Sequence, residues 1–130
     1  MMFKIRRGDI FYVDFRHSIG HEQGGIRHAV VLQNDIGNHF SPTTVVIPMT
    51  TQIHKKPLPS HVNINCNIDV ENTLLTMDSI VELEQIRTVD KCRVREKVGH
   101  ICNNKMQEIN QALLINLGIT NIIKKESVLK

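Results

Sequence analysis

Ala29-Val30-Val31-Leu32-Gln33-Asn34-Asp35-Ile36-Gly37-Asn38-His39-Phe40-Ser41-Pro42-Thr43-Thr44-Val45-Val46-Ile47 decides the fold. Its two ends, 29–32 and 43–47, are apolar, β-branched and too short for helices, so each reads as a buried strand. Between them Asn34-Asp35-Ile36-Gly37-Asn38 is dense in turn formers and returns the chain antiparallel. Pro48 has no N–H to donate and therefore marks an edge, a bulge or the end of the second strand.

Upstream, Arg7-Gly8-Asp9 leads into Ile10-Phe11-Tyr12-Val13-Asp14-Phe15, a first strand by its aromatic and β-branched content. His17 to Gly25 carries Gly20, Gly24 and Gly25 and reads as a mobile loop. Downstream, a polar loop from Thr50 to Ser60 precedes His61-Val62-Asn63-Ile64-Asn65-Cys66-Asn67. That segment alternates, with Val62, Ile64 and Cys66 on one face of a half-buried strand. Ser79 to Val89 supplies a further strand or two. Asn103 or Asn104 then offers an N-cap to a helix whose stripe is Met106, Ile109, Ala112, Leu113 and Leu117. Gly118 stands where a left-handed C-cap belongs. Five or more short strands and a terminal helix predict a mainly β fold with α, a small, partly closed β-barrel with the helix packed on it.

The chain has 130 residues, enough for one domain. Membrane proteins, multidomain enzymes and dinucleotide-cofactor folds are excluded. No apolar run could span a bilayer, and residues 1–7 lack a signal-peptide core. Five aromatics, four Phe and one Tyr, require an aliphatic core and leave little for base stacking. Sixteen Lys and Arg against thirteen Asp and Glu permit a polyanionic partner without requiring one. Cys66, Cys92 and Cys102 share no short spacing, which disfavours a disulfide scaffold or a cysteine zinc site and suits a reduced, cytoplasmic setting.

Seven histidines invite a metal, yet none stand in a His-Glu-x-x-His or His-x-His pattern. His17 and His21 are four apart, but in a glycine-rich loop. Phosphate-binding glycine loops, nucleophile elbows and Cys/His pairs are absent too. What remains is polar chemistry at strand ends. Glu22-Gln23-Gly24-Gly25-Ile26-Arg27 delivers an arginine to the mouth of the second strand, and Pro48-Met49-Thr50-Thr51-Gln52 delivers hydroxyls to the exit of the third. Antiparallel pairing would set Arg27 and Thr50 at one spot, a forked cation beside a short donor, as suits a phosphate. On spacing alone the plainer reading is the commoner: a structural ion pair for Arg27 and a strand end at Thr50.

Residues 7–15, 20–27, 30–38, 41–43 (Ser-Pro-Thr) and 83–91 (Leu-Glu-Gln-Ile-Arg-Thr-Val-Asp-Lys) together resemble the MazF/PemK toxin family, in register from about Arg7 through Leu117. The resemblance implies an SH3-like barrel of the MazF/PemK/CcdB type and a toxin domain over 1–119, while residues 120–130 read by their composition as a frayed, basic tail. The resemblance also implies the toxin half of a bacterial type II toxin–antitoxin pair: a cytoplasmic, homodimeric endoribonuclease that cuts single-stranded RNA and needs no metal or cofactor. The ribose 2′-hydroxyl would attack its own phosphodiester, leaving 2′,3′-cyclic phosphate and 5′-hydroxyl ends. Arg27 matches the family's catalytic arginine and Thr50 its catalytic threonine. Ile19, Gln23, Thr51, Gln52, Leu58 and Gln85 match substrate-groove positions. A cognate antitoxin is implied as partner, a small acidic protein whose tail folds across the groove.

Two departures stand out. His28 replaces the proline usual after the arginine, as a titratable group beside the scissile phosphate or, more simply, as the start of a strand. Residues 67–76 are longer and less charged than in similar relatives. The rival functions are a gyrase poison of the same fold, acting by binding alone, and a metal-dependent histidine nuclease.

Overall fold

A computed structural model describes residues 4–51 and 58–120. The 29–47 stretch folds back as its composition requires. β2 (Ile26–Val31) and β3 (Thr43–Thr50) pair antiparallel, Ala29 with Pro48, Val30 with Ile47 and Val31 with Val46. Around them lie β1 (Asp9–Asp14), β4 (His61–Ile64), β5 (Val70–Glu71), β6 (Ser79–Glu82), β7 (Arg87–Asp90) and β8 (Val94–Ile101). The strands run β4-β6-β3-β2-β1-β8-β5, with β7 added beside β3. The result is a curled, half-barrel antiparallel sheet that carries a C-terminal helix, α2 (Asn103–Asn116).

Both faces of the central strands are buried, which is why they read as unbroken apolar runs. Ile10, Val30, Leu32 and Ile47 face one cluster, closed by Met106, Ile109 and Ala112 of α2. Phe11, Val13, Ala29, Val31 and Val46 face the other, with Val89 and Val94. A strand that is apolar on both faces does not fix its own register by hydrophobicity. Polar groups in the β2–β3 connection do. That connection is a short helix, α1 (Asp35–Phe40), where a turn was expected. Asn34 is its N-cap, accepting from Gly37 N–H at 2.8 Å, with Asp35 in the first turn. The same residues that suggest a turn are therefore a helix-start signal. Asn38, 4% exposed, donates to Gln33 O at 2.8 Å and accepts from the fully buried Thr44 hydroxyl at 2.8 Å. Gln33 Nε2 reaches Thr43 O at 3.0 Å, and Leu32 N–H reaches Val45 O at 2.8 Å.

Pro48 does not end the strand; β3 runs to Thr50. Since Leu32 bonds Val45, main-chain groups at 45, 47 and 49 turn to β2 and those at 46, 48 and 50 turn away. On that outer edge the ladder to β7 stops at Val46 and the ladder to β6 starts at Met49. The donor that Pro48 lacks falls in the gap between two neighbours.

β8 is eight residues long and pairs with β1, though the sequence reading did not include it. Arg95, Glu96 and Lys97 are exposed and two register shifts break its alternation, so no period of two survives. β4 ends at Ile64, but Val62, Ile64 and Cys66 do share the buried face. α2 begins one or two residues earlier than expected, with Cys102 in place of Asn103 or Asn104 as N-cap and no side-chain capping bond. Ile115 completes its buried stripe, whereas Leu117 is 54% exposed. Gly118 takes φ +75°, and Gly118 N–H bonds Ile115 O at 3.0 Å while Ile119 N–H bonds Leu114 O at 2.9 Å. That is the left-handed glycine cap the sequence suggests. The three cysteines are unpaired. Among the described residues no helix is long and apolar enough to cross a membrane.

Replacing Asn38 with Ala strands the Thr44 hydroxyl in an apolar layer, at an expected cost of about 1–3 kcal/mol. Urea unfolding measures this, and adding Thr44→Val should recover part of the loss; strictly additive losses would show that the two side chains do not act as a pair.

Candidate active site at the β2–β3 cleft

Arg27 is the second residue of β2, paired through its main chain with Val13 of β1. Thr50 is the last residue of β3, paired with Ile80 of β6. The β2–β3 ladder stops at Ala29 and Pro48, and two further residues along each strand bring Arg27 opposite Thr50. Beyond the ladder one strand is committed to β1 and the other to β6. Between them opens a cleft of about 490 Å³ lined by Arg27, Thr50, Thr51, Gln23, Tyr12, His28 and Ser79.

The Arg27 guanidinium is oriented by the loop before it. Nε donates to Gly24 O at 2.9 Å and Nη1 donates to Gln23 Oε1. The remaining N–H groups on Nη1 and Nη2 have no partner among the described residues, so three of the five donors are available for a ligand. Thr50 is 6% exposed, a hydroxyl set deep in the cleft wall.

The loop expected to be mobile is pinned at several points. Gly25, at φ +79°, turns the chain into β2, and Phe15 N–H bonds its carbonyl at 2.7 Å. Ser18 Oγ donates to Phe15 O at 2.6 Å, and Arg87 Nη1 donates to Ser18 Oγ at 3.1 Å. Gln85 Oε1 accepts from Gln23 N–H at 3.1 Å, while its Nε2 donates to His21 O at 3.4 Å. Gln85 thus spends its amide on the loop instead of facing the cleft. Ile19, 79% exposed, and Leu58, 47% exposed, also lie outside the cleft lining. Gln52 lies outside the described residues.

Two features escaped the sequence reading. Arg87 lies over the Phe15 ring at 4.7 Å, and burial lowers its pKa, Glu22 raises it and the Arg27 charge lowers it further. A second cation therefore stands within Coulomb range of Arg27. The other is a cluster of His61, Glu82 and Glu84, whose ligand atoms lie within 4.8 Å of one another. His61 Nε2 lies 2.7 Å from Glu84 Oε2 and 3.6 Å from Glu82 Oε2, while Leu58 N–H points at Nδ1 at 3.3 Å. Nδ1 is thus an acceptor, and Nε2 carries the proton it gives to Glu84. Burial raises the Glu84 pKa, but hydrogen bonds from His61, the main chain and Ser60 bring it below the ordinary value. His61 and Glu84 are hydrogen-bonded to each other, Glu82 accepts from Gln23, and the one imidazole ligand atom of the cluster is already a donor. These are the residues best placed to hold a cation among those described, and their bonding does not favour one.

A larger hollow, about 680 Å³, lies between Lys4, Arg6, α1 and Lys91 and shares no residue with the cleft. Two of its polar groups are already bonded: Asp35 accepts from Arg7 N–H at 2.7 Å, and Lys91 Nζ donates to Asn38 O. Chemistry converges on the smaller cleft.

Comparison with known proteins bears on what that cleft is for. The family of PemK-like, MazF-like toxins of type II toxin–antitoxin systems matches residues 6–117. The chain belongs to this family. The toxin is 44% identical over 115 residues to Endoribonuclease EndoA of Bacillus subtilis (strain 168), covering 88% of the chain and 96% of that relative. Its fold is similar to that of MazF (Form-I) from Deinococcus radiodurans, with TM-score 0.74, 24% identity and coverage of 89% and 98% of the two chains. It is similar also to a mycobacterial endoribonuclease solved in complex with its cognate antitoxin, with TM-score 0.70, 22% identity and coverage of 90% and 98%.

In this toxin His28 does not start the strand but lies within β2, opposite Tyr12, with ring centroids 4.3 Å apart. Burial lowers its pKa below the ordinary 6.5. Between the folded-state pKa and 6.5 the unfolded chain holds more protons, so stability falls as pH falls through that window. An NMR titration of the ring should place the His28 midpoint below 6.5, and His28→Gln should flatten this part of the pH–stability curve. A midpoint above 6.5 would contradict the assignment.

Proposed function

We propose that this toxin is a metal-independent endoribonuclease that cuts single-stranded RNA at a short recognition sequence, with Arg27 and Thr50 as its chemical pair. The supporting observation is their meeting across one cleft, Arg27 with three donors uncommitted among the described residues and Thr50 opposite. The similarity to Endoribonuclease EndoA points the same way.

The chemistry follows from what the two groups can do. The ribose 2′-oxygen attacks the adjacent phosphorus, the O2′–P bond forms, and the P–O5′ bond breaks. The phosphorane between these states carries more charge on its non-bridging oxygens than the ground state does. Arg27 N–H groups and the Thr50 hydroxyl donate to those oxygens and stabilise that charge where it develops. The guanidinium receives the 2′-hydroxyl proton as it gives one to the departing O5′, so its own charge is unchanged. No carboxylate base or Lewis acid is required for this balance. DNA lacks the attacking oxygen and would not be cut.

Gln23, Thr51 and Ser79 line the cleft around the reacting phosphate; Thr51 and Ser79 suit hydrogen bonding to flanking nucleotides, whereas the Gln23 amide is bonded to Arg27 and Glu82. Ile19 and Leu58, both exposed, would offer apolar contact to bases; Gln52 is proposed from the resemblance alone, and Gln85 would reach RNA only by giving up the bonds with which its amide holds the loop. The active form would be a cytoplasmic homodimer, neutralised by an acidic antitoxin whose tail occupies the cleft. The Arg27/Thr50 pair across one cleft argues against a toxin that acts only by binding.

Purified toxin incubated with unstructured RNA in EDTA should leave 2′,3′-cyclic phosphate and 5′-hydroxyl ends, and no cut at a 2′-deoxy scissile position. Arg27→Ala and Thr50→Ala should each lower the cleavage rate about 10²- to 10³-fold. Intact RNA at high enzyme, or metal-dependent cutting with 3′-hydroxyl ends, would overturn the proposal.

A further inference from the structure

Arg27 is held by Gln23, and Gln23 is held in turn by Glu82, a residue 59 positions away in sequence. Gln23 Oε1 accepts from Arg27 Nη1, while Gln23 Nε2 donates to Glu82 Oε1. A guanidinium has only donors and a carboxylate only acceptors, so the amide between them fits one way round. Reversing it would set N–H against N–H on one side and oxygen against oxygen on the other. The Gln23 main chain is fixed independently by Gln85 Oε1 at 3.1 Å. Glu82 ends β6, its backbone paired with His61, and its side chain is 5% exposed. The far end of the relay is thus a buried strand residue with little freedom to move.

From this geometry we propose that Glu82, acting through the Gln23 amide, is the positioning residue for the Arg27 guanidinium. The proposal rests on the reading of Arg27 as a catalytic residue. One donor of Nη1 and the Nε donor are spent on fixed oxygens, which turns the other three toward the cleft. Without Glu82 the Gln23 amide can flip and present N–H groups to Arg27, and the guanidinium then loses its aim. Glu84 shares the cluster with His61 but makes no contact with Gln23, so it serves as a control.

The experiment combines kinetics with NMR of ¹⁵N-arginine-labelled toxin, the Arg27 guanidinium signals being assigned from Arg27→Lys. In the native toxin the Arg27 Nη signals should be resolved, as for a restrained group. In Glu82→Leu and Gln23→Ala they should collapse to the averaged position, and in Glu84→Gln they should stay unchanged. Cleavage by Glu82→Leu should show kcat lowered about 10- to 100-fold, with affinity for a 2′-deoxy RNA changed less than about threefold. Glu82→Gln, whose amide oxygen still accepts from Gln23, should recover most of that loss. If Glu82→Leu does not fold, Gln23→Ala, altered only in the half-buried loop, carries the test. Unchanged Arg27 signals and kcat in both variants would overturn the proposal while leaving Arg27 as a catalytic residue intact. Normal cutting by Arg27→Ala would instead remove the reading beneath it.

Discussion

The buried Asn38–Thr44 hydrogen bond and the Gln33 contacts beside it set the register of β2 against β3, and the cleft is a consequence of that register. A slip of one residue would bury an apolar side chain as well as before, since both faces of these strands are packed. It would also turn Arg27 and Thr50 to opposite faces of the sheet. Polar groups that satisfy one another at a single alignment therefore decide what hydrophobic burial leaves open. In this chain a stability element in the β2–β3 connection carries the geometry of the proposed site.

The cleft itself arises because β3 changes partners. Its first half lies between β2 and β7 and its last two residues join β6, with Pro48 at the change. Arg27 stays with β1, so the strands that carry the two groups part just past their last shared pair. Each group sits at the end of a rigid strand, and the loop that completes the cleft is tied down by Ser18, Gln85 and Arg87. Such a site is prepared before any ligand arrives, which is what electrostatic stabilisation of a short-lived charged state requires.

Much of this was legible in the residues. Apolar runs at 29–32 and 43–47, alternation at 61–66 and the stripe ending at Gly118 are local signals, and local signals located β2, β3, β4 and α2. Arg27 and Thr50 stood out because each lies at the end of such a run, but only the family resemblance favoured them as a site pair over a structural ion pair and a strand end. Elsewhere local signals failed for definable reasons. β8 exposes Arg95, Glu96 and Lys97 in succession and is bulged, which removes its period. Asn34 and Asp35 suit a turn and a helix start equally, and the main-chain bonds from Asn38 N–H to Asn34 O and from Ser41 N–H to Gly37 O are what make the segment a helix. Glu82 lies on a short strand with nothing in its neighbourhood to link it to Gln23. Gln85, matched by resemblance to a base-contacting position, uses its amide to clamp the loop, a long-range contact that no spacing announces.

The most direct test of the account is a crystal structure of the toxin with an RNA that carries a 2′-deoxy residue at the cleavage position. The account expects the scissile phosphate between Arg27 and Thr50, one non-bridging oxygen within about 3.2 Å of a guanidinium nitrogen and the other within reach of the Thr50 hydroxyl. A phosphate bound instead in the hollow beside Lys4, Arg6 and Lys91, with the cleft left to solvent, would contradict it.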